Sequence, residues 1–232
     1  MKCNFAILVP FYNEQQTIYP VSVKFIETGL PIIFVNDGGD DMSYPILYDV
    51  VTKLKVPNVS IINYSLNRGK GFAIKTGAEE IINKGYDYIL VMDADGQTSI
   101  NDIPQFLTAL KMRPGAKIII GNRLHNPKDM SFIRLLTNKF MSWIVTILTG
   151  TKIPDSQCGM RLIHKSVFDL PSEEDKFGYE TEQLLQAGLQ GFEIVSVPIK
   201  CIYYKERKSK INPIKDTFRF FKMILKFIME GK

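Results

Sequence analysis

Only three cysteines and two histidines occur in this chain of 232 residues. Cys3, Cys158 and Cys201 are too few and too scattered for a disulfide framework or a cysteine-rich zinc site, so buried or incidental thiols in a reducing compartment are expected. With His125 and His164 alone, multi-histidine zinc sites are excluded and a bound metal has to rest on oxygen ligands. Long uncharged apolar runs are missing too. The nearest approach, residues 131–150, is interrupted by Arg134, Asn138 and Lys139, so no membrane-spanning helix is expected. Residues 1–9 hold one lysine and a short apolar run ending at Pro10, which predicts no secretory leader. Low-complexity linkers and internal repeats are absent.

What remains is the composition of a folded domain, 45% hydrophobic and 23% charged. The net charge of +5 is unevenly spread: residues 200–232 carry ten Lys/Arg against three Asp/Glu, leaving the first 199 residues slightly acidic. Charge confined to one terminal block argues against a nucleic-acid partner.

Short apolar, β-branched runs at 5–9, 32–35, 59–63, 88–92 and 117–120 predict strands. Between them 14–28, 42–55, 71–84 and 102–111 are long enough for helices. Strands spaced by helices predict an α/β fold, a mostly parallel, doubly wound sheet flanked by helices with its site at the carboxyl ends of the strands. After residue 123 the alternation becomes irregular: a helix at 131–149, a loop around Asp155, a short strand near 161–164, a helix at 179–189 and a strand at 193–200. One domain is expected, with an N-terminal nucleotide half (1–123), a second half (124–212) covering it, and a C-terminal helix (213–232).

The polar clusters fall at the predicted strand ends. Asp93 and Asp95 flank Ala94 just after an apolar strand; two carboxylates this close repel, and a divalent cation compensates them. Magnesium or manganese suits such hard ligands, with Gln97 able to add a neutral oxygen. A plain Asp-Gly turn explains the same residues, and both readings stay open. Asn67-Arg68-Gly69-Lys70-Gly71 opens a helix after a strand. It reads either as a structural cap or as an anion site in which backbone amides and Lys70 favour phosphate.

Taken in order, the segments 9–14 (Val-Pro-Phe-Tyr-Asn-Glu), 36–38 (Asn-Asp-Gly), 67–71, 93–97 (Asp-Ala-Asp-Gly-Gln), 121–123 (Gly-Asn-Arg), 155–161 (Asp-Ser-Gln-Cys-Gly-Met-Arg) and 178–182 (Gly-Tyr-Glu-Thr-Glu) resemble a family 2 glycosyltransferase of the nucleotide-sugar-binding GT-A fold. Val197-Pro198-Ile199 followed by Ser209-Lys210 is similar to the branch of dolichol- and polyprenyl-phosphate sugar synthases. The match runs from residue 7 to about 216.

The resemblance implies that Pro10, Tyr12 and Glu14 line the base and ribose pocket, that Asp37 holds the nucleobase edge, and that Lys70 lies near them. The Asp93-Ala94-Asp95 segment meets the nucleotide sugar, and Asp93, Asp95 and Gln97 bind Mg2+ or Mn2+ on the diphosphate. Arg123, Arg161 and Lys210 match cationic positions facing the donor diphosphate or the acceptor phosphate. The resemblance also implies that the second half (124–212) receives the acceptor. The implied reaction is inverting, metal-dependent transfer from a UDP- or GDP-linked sugar to a polyprenyl phosphate. Alternatives are transfer to a sugar hydroxyl of a growing glycan, and a non-catalytic nucleotide-sugar-binding protein of the same fold. A phosphate acceptor is already anionic; a hydroxyl needs a general base, for which Asp155, then Glu180, are the candidates beside the catalytic Asp95. Two departures stand out. Gly39 replaces the serine of the family's second motif, and Met160 replaces an aromatic residue.

Residues 214–229 predict a helix with Lys215, Arg219, Lys222 and Lys226 as one basic stripe and Phe220, Phe221, Ile224, Leu225, Phe227 and Ile228 as a wide apolar arc. Either the arc packs on the domain, or it enters a membrane interface with the lysines toward anionic headgroups. A cytoplasmic enzyme, peripheral on the cytoplasmic membrane face, is the expectation from the second reading.

Overall fold

The computed structural model describes residues 4–127, 130–176, 178–202 and 213–229, the last without the side chains of 213–216. Seven strands form one sheet: β1 (Phe5–Phe11), β2 (Ile32–Asp37), β3 (Val59–Tyr64), β4 (Tyr88–Val91), β5 (Ile118–Asn122), β6 (Arg161–His164) and β7 (Ile194–Pro198). Their spatial order is β3-β2-β1-β4-β6-β5-β7. The helices are α1 (Ile18–Glu27), α2 (Ser43–Leu54), α3 (Lys70–Asn83), α4 (Ile103–Met112), α5 (Phe132–Thr149), α6 (Tyr179–Leu189) and α7 (Pro213–Met229).

The expected mostly parallel α/β fold is found. β1 pairs in parallel with β2 and β4, β2 with β3, and β5 with β7. β1 and β2 are buried at every position, the near-continuous apolar run of strands covered by helices on both faces. Helix α3 sits close on this sheet because it presents Gly77: a Cβ there would lie 2.1 Å from Leu8 Cδ1. Helix α1 starts four residues later than its sequence suggests. Residues 14–17 form a turn instead, with the Thr17 and Ile18 amides donating to the Glu14 carbonyl at 2.9 and 2.8 Å.

The second half of the chain does more than cover the first. β6 is inserted between β4 and β5, antiparallel to both, and β7 closes the edge beside β5. The loop from Asp155 to Met160 is thereby carried to the same sheet end as Asp93.

The two reversals of burial lie in α5 and α7. α5 turns Asn138, Met141, Ser142 and Val145 inward. In α7 the apolar arc divides: Phe220, Met223, Ile224 and Phe227 pack on the domain, whereas Phe221, Leu225 and Ile228 are exposed. Among the described residues no helix is long and apolar enough to cross a membrane. Cys158 is buried and its thiol is pushed up to about 12, by burial first; Cys201 is half-buried. Cys3 lies outside the described residues.

Candidate active site

The loops at the carboxyl ends of β1, β2 and β4 meet the starts of α3 and α6. Their anchor is Asp37, buried at the end of β2. Its carboxylate accepts from Tyr64 Oη (3.0 Å), Asn67 Nδ2 (3.0 Å) and the amides of Arg68 (3.0 Å) and Gly69 (2.9 Å). These four donors make Asp37 the anchor of the 64–69 segment at the end of β2. Burial, with the neighbouring Asp37 charge, raises the Tyr64 phenol well above its ordinary value. It therefore stays a neutral donor to this carboxylate.

The glycines of the 67–71 segment serve close approach. A Cβ on Gly69 would lie 2.6 Å from the Asp175 carbonyl oxygen, and one on Gly71 2.5 Å from Tyr179 Cβ. The Phe72 amide donates to the Asp175 carbonyl at 2.9 Å. The structural reading of this segment is thus realised in its backbone, while its lysine points elsewhere. Gly39, the missing serine, follows the same logic. Its would-be Cβ meets Asn13 Oδ1 at 2.7 Å, and Asn13 is committed to a reciprocal pair with Asp40 at 2.7 and 3.0 Å.

Lys70 joins the two halves of the chain. Its ammonium lies 2.7 Å from Asp93 Oδ1 and 2.7 Å from Glu180 Oε2. Burial alone would lower the Lys70 pKa, but the charges and hydrogen bonds of Asp93 and Glu180 outweigh it and the net shift is upward. For Asp93, burial works to raise the pKa and is overcome by Lys70, with Arg123 and Arg161 adding to the lowering. The second oxygen of Glu180, Oε1, is buried without a hydrogen-bond partner among the described residues and lies 3.9 Å from Arg161 Nε.

Behind this cluster stand two buried cations. Arg123 (8% exposed) meets Asp155 (0%) through Nε at 2.8 Å and Nη2 at 2.9 Å, and its amide donates to the same carboxylate at 3.0 Å. Asp155 therefore faces Arg123, and both of its oxygens accept from that residue. Arg161 is 1% exposed and donates to the carbonyls of Cys158 (2.8 Å), Ser156 (2.8 Å) and Glu180. A guanidinium spent on three carbonyls ties the 155–158 loop to α6. Its charge also reaches Asp93, where it adds to the lowering of that carboxyl's pKa.

Asp95 and Gln97 follow β4. Asp95 Oδ1 accepts from the Gln97 amide at 2.9 Å, and Gly96 has φ 72°, so the Asp-Gly turn is present. A turn does not exclude metal binding. Among the described residues no group of three His, Cys, Asp or Glu side chains forms a closed cage. Asp93 and Asp95 with Gln97 provide hard oxygen donors in an incomplete set. That fits a divalent cation which takes its remaining ligands from phosphate oxygens and water. Beside Asp93, between α1 and the 96–101 loop, opens a cavity of about 740 Å3, within the range of small-ligand sites.

Of the other expected positions, Pro10 and Ala94 are buried in the walls, and Tyr12 is exposed at the end of β1. Glu14 accepts from Thr17 Oγ1 at 3.1 Å while its amide donates to Ser43 Oγ at 2.7 Å. Lys210 lies outside the described residues. The sequence reading missed the 172–175 loop as a wall. Glu182 holds it, accepting from Ser172 Oγ at 2.6 Å and the Glu174 amide at 3.1 Å. The acidic Glu180-Thr181-Glu182 pattern was the available signal.

A mostly parallel sheet whose strand ends gather paired carboxylates and buried guanidiniums defines an α/β protein with a ligand crevice at its strand ends. Solved structures agree in fold. Glucosyl-3-phosphoglycerate synthase from Mycobacterium tuberculosis, in complex with Mn2+ and UDP-glucose, superposes with a TM-score of 0.71 at 12% identity, covering 97% of this chain and 79% of that one. Mannosyl-3-phosphoglycerate synthase from Rubrobacter xylanophilus gives 0.69 at 13%, covering 99% and 74%.

Sequence relatives carry the assignment further. The family model for glycosyl transferase family 2 matches residues 6–170, and the chain belongs to that family. It is 29% identical to the UDP-N-acetylglucosamine–dolichyl-phosphate N-acetylglucosaminyltransferase of Methanococcus voltae, over 94% of both chains. It is 26% identical to the polyprenol monophosphomannose synthase of Mycolicibacterium smegmatis, over 83% of this chain and 75% of that one. The protein is a glycosyltransferase.

Proposed function

We propose that this glycosyltransferase is metal-dependent and inverting, and moves a sugar from a UDP- or GDP-linked donor to a polyprenyl phosphate at a membrane surface. The observation that carries the reading is the convergence of Lys70, Asp93 and Glu180 from three distant segments at one crevice, backed by the charges of Arg123 and Arg161. The match to a dolichyl-phosphate transferase along nearly the whole chain supports the same acceptor class.

Asp93, Asp95 and Gln97 would hold Mg2+ or Mn2+, which when bound neutralises negative charge developing on the leaving diphosphate. Lys70 fixes the Asp93 and Glu180 carboxylates in position beside one another. Arg123 and Arg161, buried and immobilised by Asp155 and by carbonyls, form a positive background that needs no reorganisation when an anion arrives. The 155–158 loop and the 172–175 loop flank the cluster. An acceptor phosphate is anionic at neutral pH, so the chain has to orient it and supplies no base. In that reading Asp155 is a positioning residue for Arg123. Lys210 keeps its proposed place at the acceptor phosphate.

The test compares acceptors. Purified protein with Mn2+ and a panel of UDP- and GDP-sugars is offered undecaprenyl or dolichyl phosphate, and separately oligosaccharides. Transfer to the lipid phosphate with inversion at the anomeric carbon is the expected outcome. Transfer only to sugar hydroxyls would replace the acceptor, and donor binding with no transfer would remove the catalytic reading.

A further inference from the structure

An amphipathic helix on a globular protein turns its apolar side inward; α5 keeps a second apolar side outward. Its inward side carries Asn138 and Ser142 beside Met141 and Val145, and Ser142 Oγ accepts from the Ser156 amide at 2.8 Å. Its outward side carries Phe132, Ile133, Leu136, Phe140, Trp143 and Ile147, from 43% to 77% exposed. Those positions share one stripe along the helix.

α7 widens the stripe. Phe218, Phe221, Leu225, Ile228 and Met229 remain outward, and Arg219, Lys222 and Lys226 form a separate ridge on the same exposed side. The rings of Phe140 and Phe221 meet with centroids 6.0 Å apart, and Phe140 stacks on Trp143 at 6.0 Å. The two apolar stripes are one surface.

A contiguous exposed apolar patch marks an interaction site, and the charges around it select the partner. α5 has no acidic residue, and residues 217–229 of α7 have none. Lys139 is exposed on α5 beside Phe140, and the α7 ridge borders the patch, with Lys226 also 2.7 Å from Glu173. Aliphatic and aromatic side chains flanked by cations, with a tryptophan among them, match the headgroup boundary of an anionic bilayer. We infer that the joined outer faces of α5 and α7 dock this protein on an anionic lipid surface. The inward side of α5 rests on the 155–156 loop, whose Asp155 holds Arg123. Lipid and the cationic wall of the crevice are then separated by about one helix diameter, roughly 10 Å.

This deepens the proposed function and rests on it for its purpose, but its observation involves no donor, metal or acceptor. Trp143 is the only tryptophan in the chain, so its emission reports on the patch directly. The full chain is titrated with phosphatidylglycerol/phosphatidylcholine vesicles that contain no polyprenyl phosphate. The expected result is a blue shift, quenching by brominated acyl chains, and binding that weakens with salt. Leu136→Glu and Leu225→Glu each lower vesicle affinity at least tenfold by this reading, at about the scale of burying a leucine or a charge in lipid. Lys222→Glu lowers it about fivefold or more. Circular dichroism verifies that the variants fold.

Unchanged emission with anionic vesicles would overturn the inference. So would a concentration-dependent dimer, dissolved by Leu136→Glu, in a protein that ignores vesicles, because the patch would then belong to a second copy. Transfer to a short, water-soluble prenyl phosphate without vesicles is measured separately. Vesicle binding without such transfer counts against the acceptor and supports the surface; transfer without vesicle binding does the opposite.

Discussion

Asp155→Ala is expected to cost this protein its stability before it costs it chemistry. The carboxylate is fully buried and receives three donors from Arg123 at 2.8–3.0 Å, while Arg123 itself is 8% exposed. Removing the anion leaves a guanidinium in the interior without its counter-charge, a change that costs about 3–5 kcal/mol. For a chain of this length each kcal/mol lowers the melting temperature by about 2–4 °C, so the expected drop is roughly 6–20 °C. Replacing both partners, Arg123→Met with Asp155→Leu, removes the stranded charge together with the pair and should recover most of the loss. Differential scanning calorimetry of Arg123→Met, Asp155→Leu and the double variant gives the cycle directly. Asp155→Ala melting within about 2 °C of wild type would refute the reasoning. So would an Asp155→Asn variant of wild-type stability in which transfer is abolished, since that is the behaviour of a general base.

Other consequences are equally accessible. Asp95→Ala is expected to reduce metal-dependent transfer at least about a hundredfold; an active variant indifferent to EDTA would remove the metal assignment. Lys70→Met takes away the cation shared by Asp93 and Glu180. Without nucleotide it should bind Mn2+ at least about tenfold more tightly, read by electron paramagnetic resonance. Lys70→Arg keeps wild-type affinity, and an unchanged Lys70→Met would show that the ammonium does not compete with the metal. His164 has its pKa lowered from 6.5, by burial first and then by the Lys117 charge. Because the unfolded chain takes up this proton more readily, its contribution is present above pH 6.5 and is lost as the pH falls through the lower, folded-state value. Urea midpoints should therefore decline between pH 7.5 and 5.5 less steeply in His164→Gln than in wild type; identical slopes would count against it.

The fold was legible because its signals are local. β1, β2 and β4 are short apolar runs closed by polar clusters, and α3 follows its glycine-rich start directly. The strand-end positions of Asp37, Asp93 and Asp95 were equally readable. Partnership was not. Nothing in the spacing says that Lys70, Asp93 and Glu180 meet, because the contact depends on how α3 and α6 dock. Arg161 looks like a phosphate ligand in its motif, yet it opens β6, and insertion of that strand between β4 and β5 buries it among carbonyls. A four-residue strand gives little hint of its direction. The C-terminal arc of apolar residues was read as one face, whereas packing divides it in two. The apolar side of α5 was visible only as an interrupted hydrophobic run, and the periodicity did not say which side faces out.

The chain leaving β7 returns to the Asp95–Gln97 loop before it goes on to α7. Thr98 and Cys201 form an antiparallel bridge, and the Ile202 amide donates to the Gln97 carbonyl at 2.9 Å. After ten intervening residues α7 begins. The stretch after β7 is thus a backbone support of the Asp95–Gln97 loop, so the placing of carboxylates that sit early in the chain is held in part by residues near its far end.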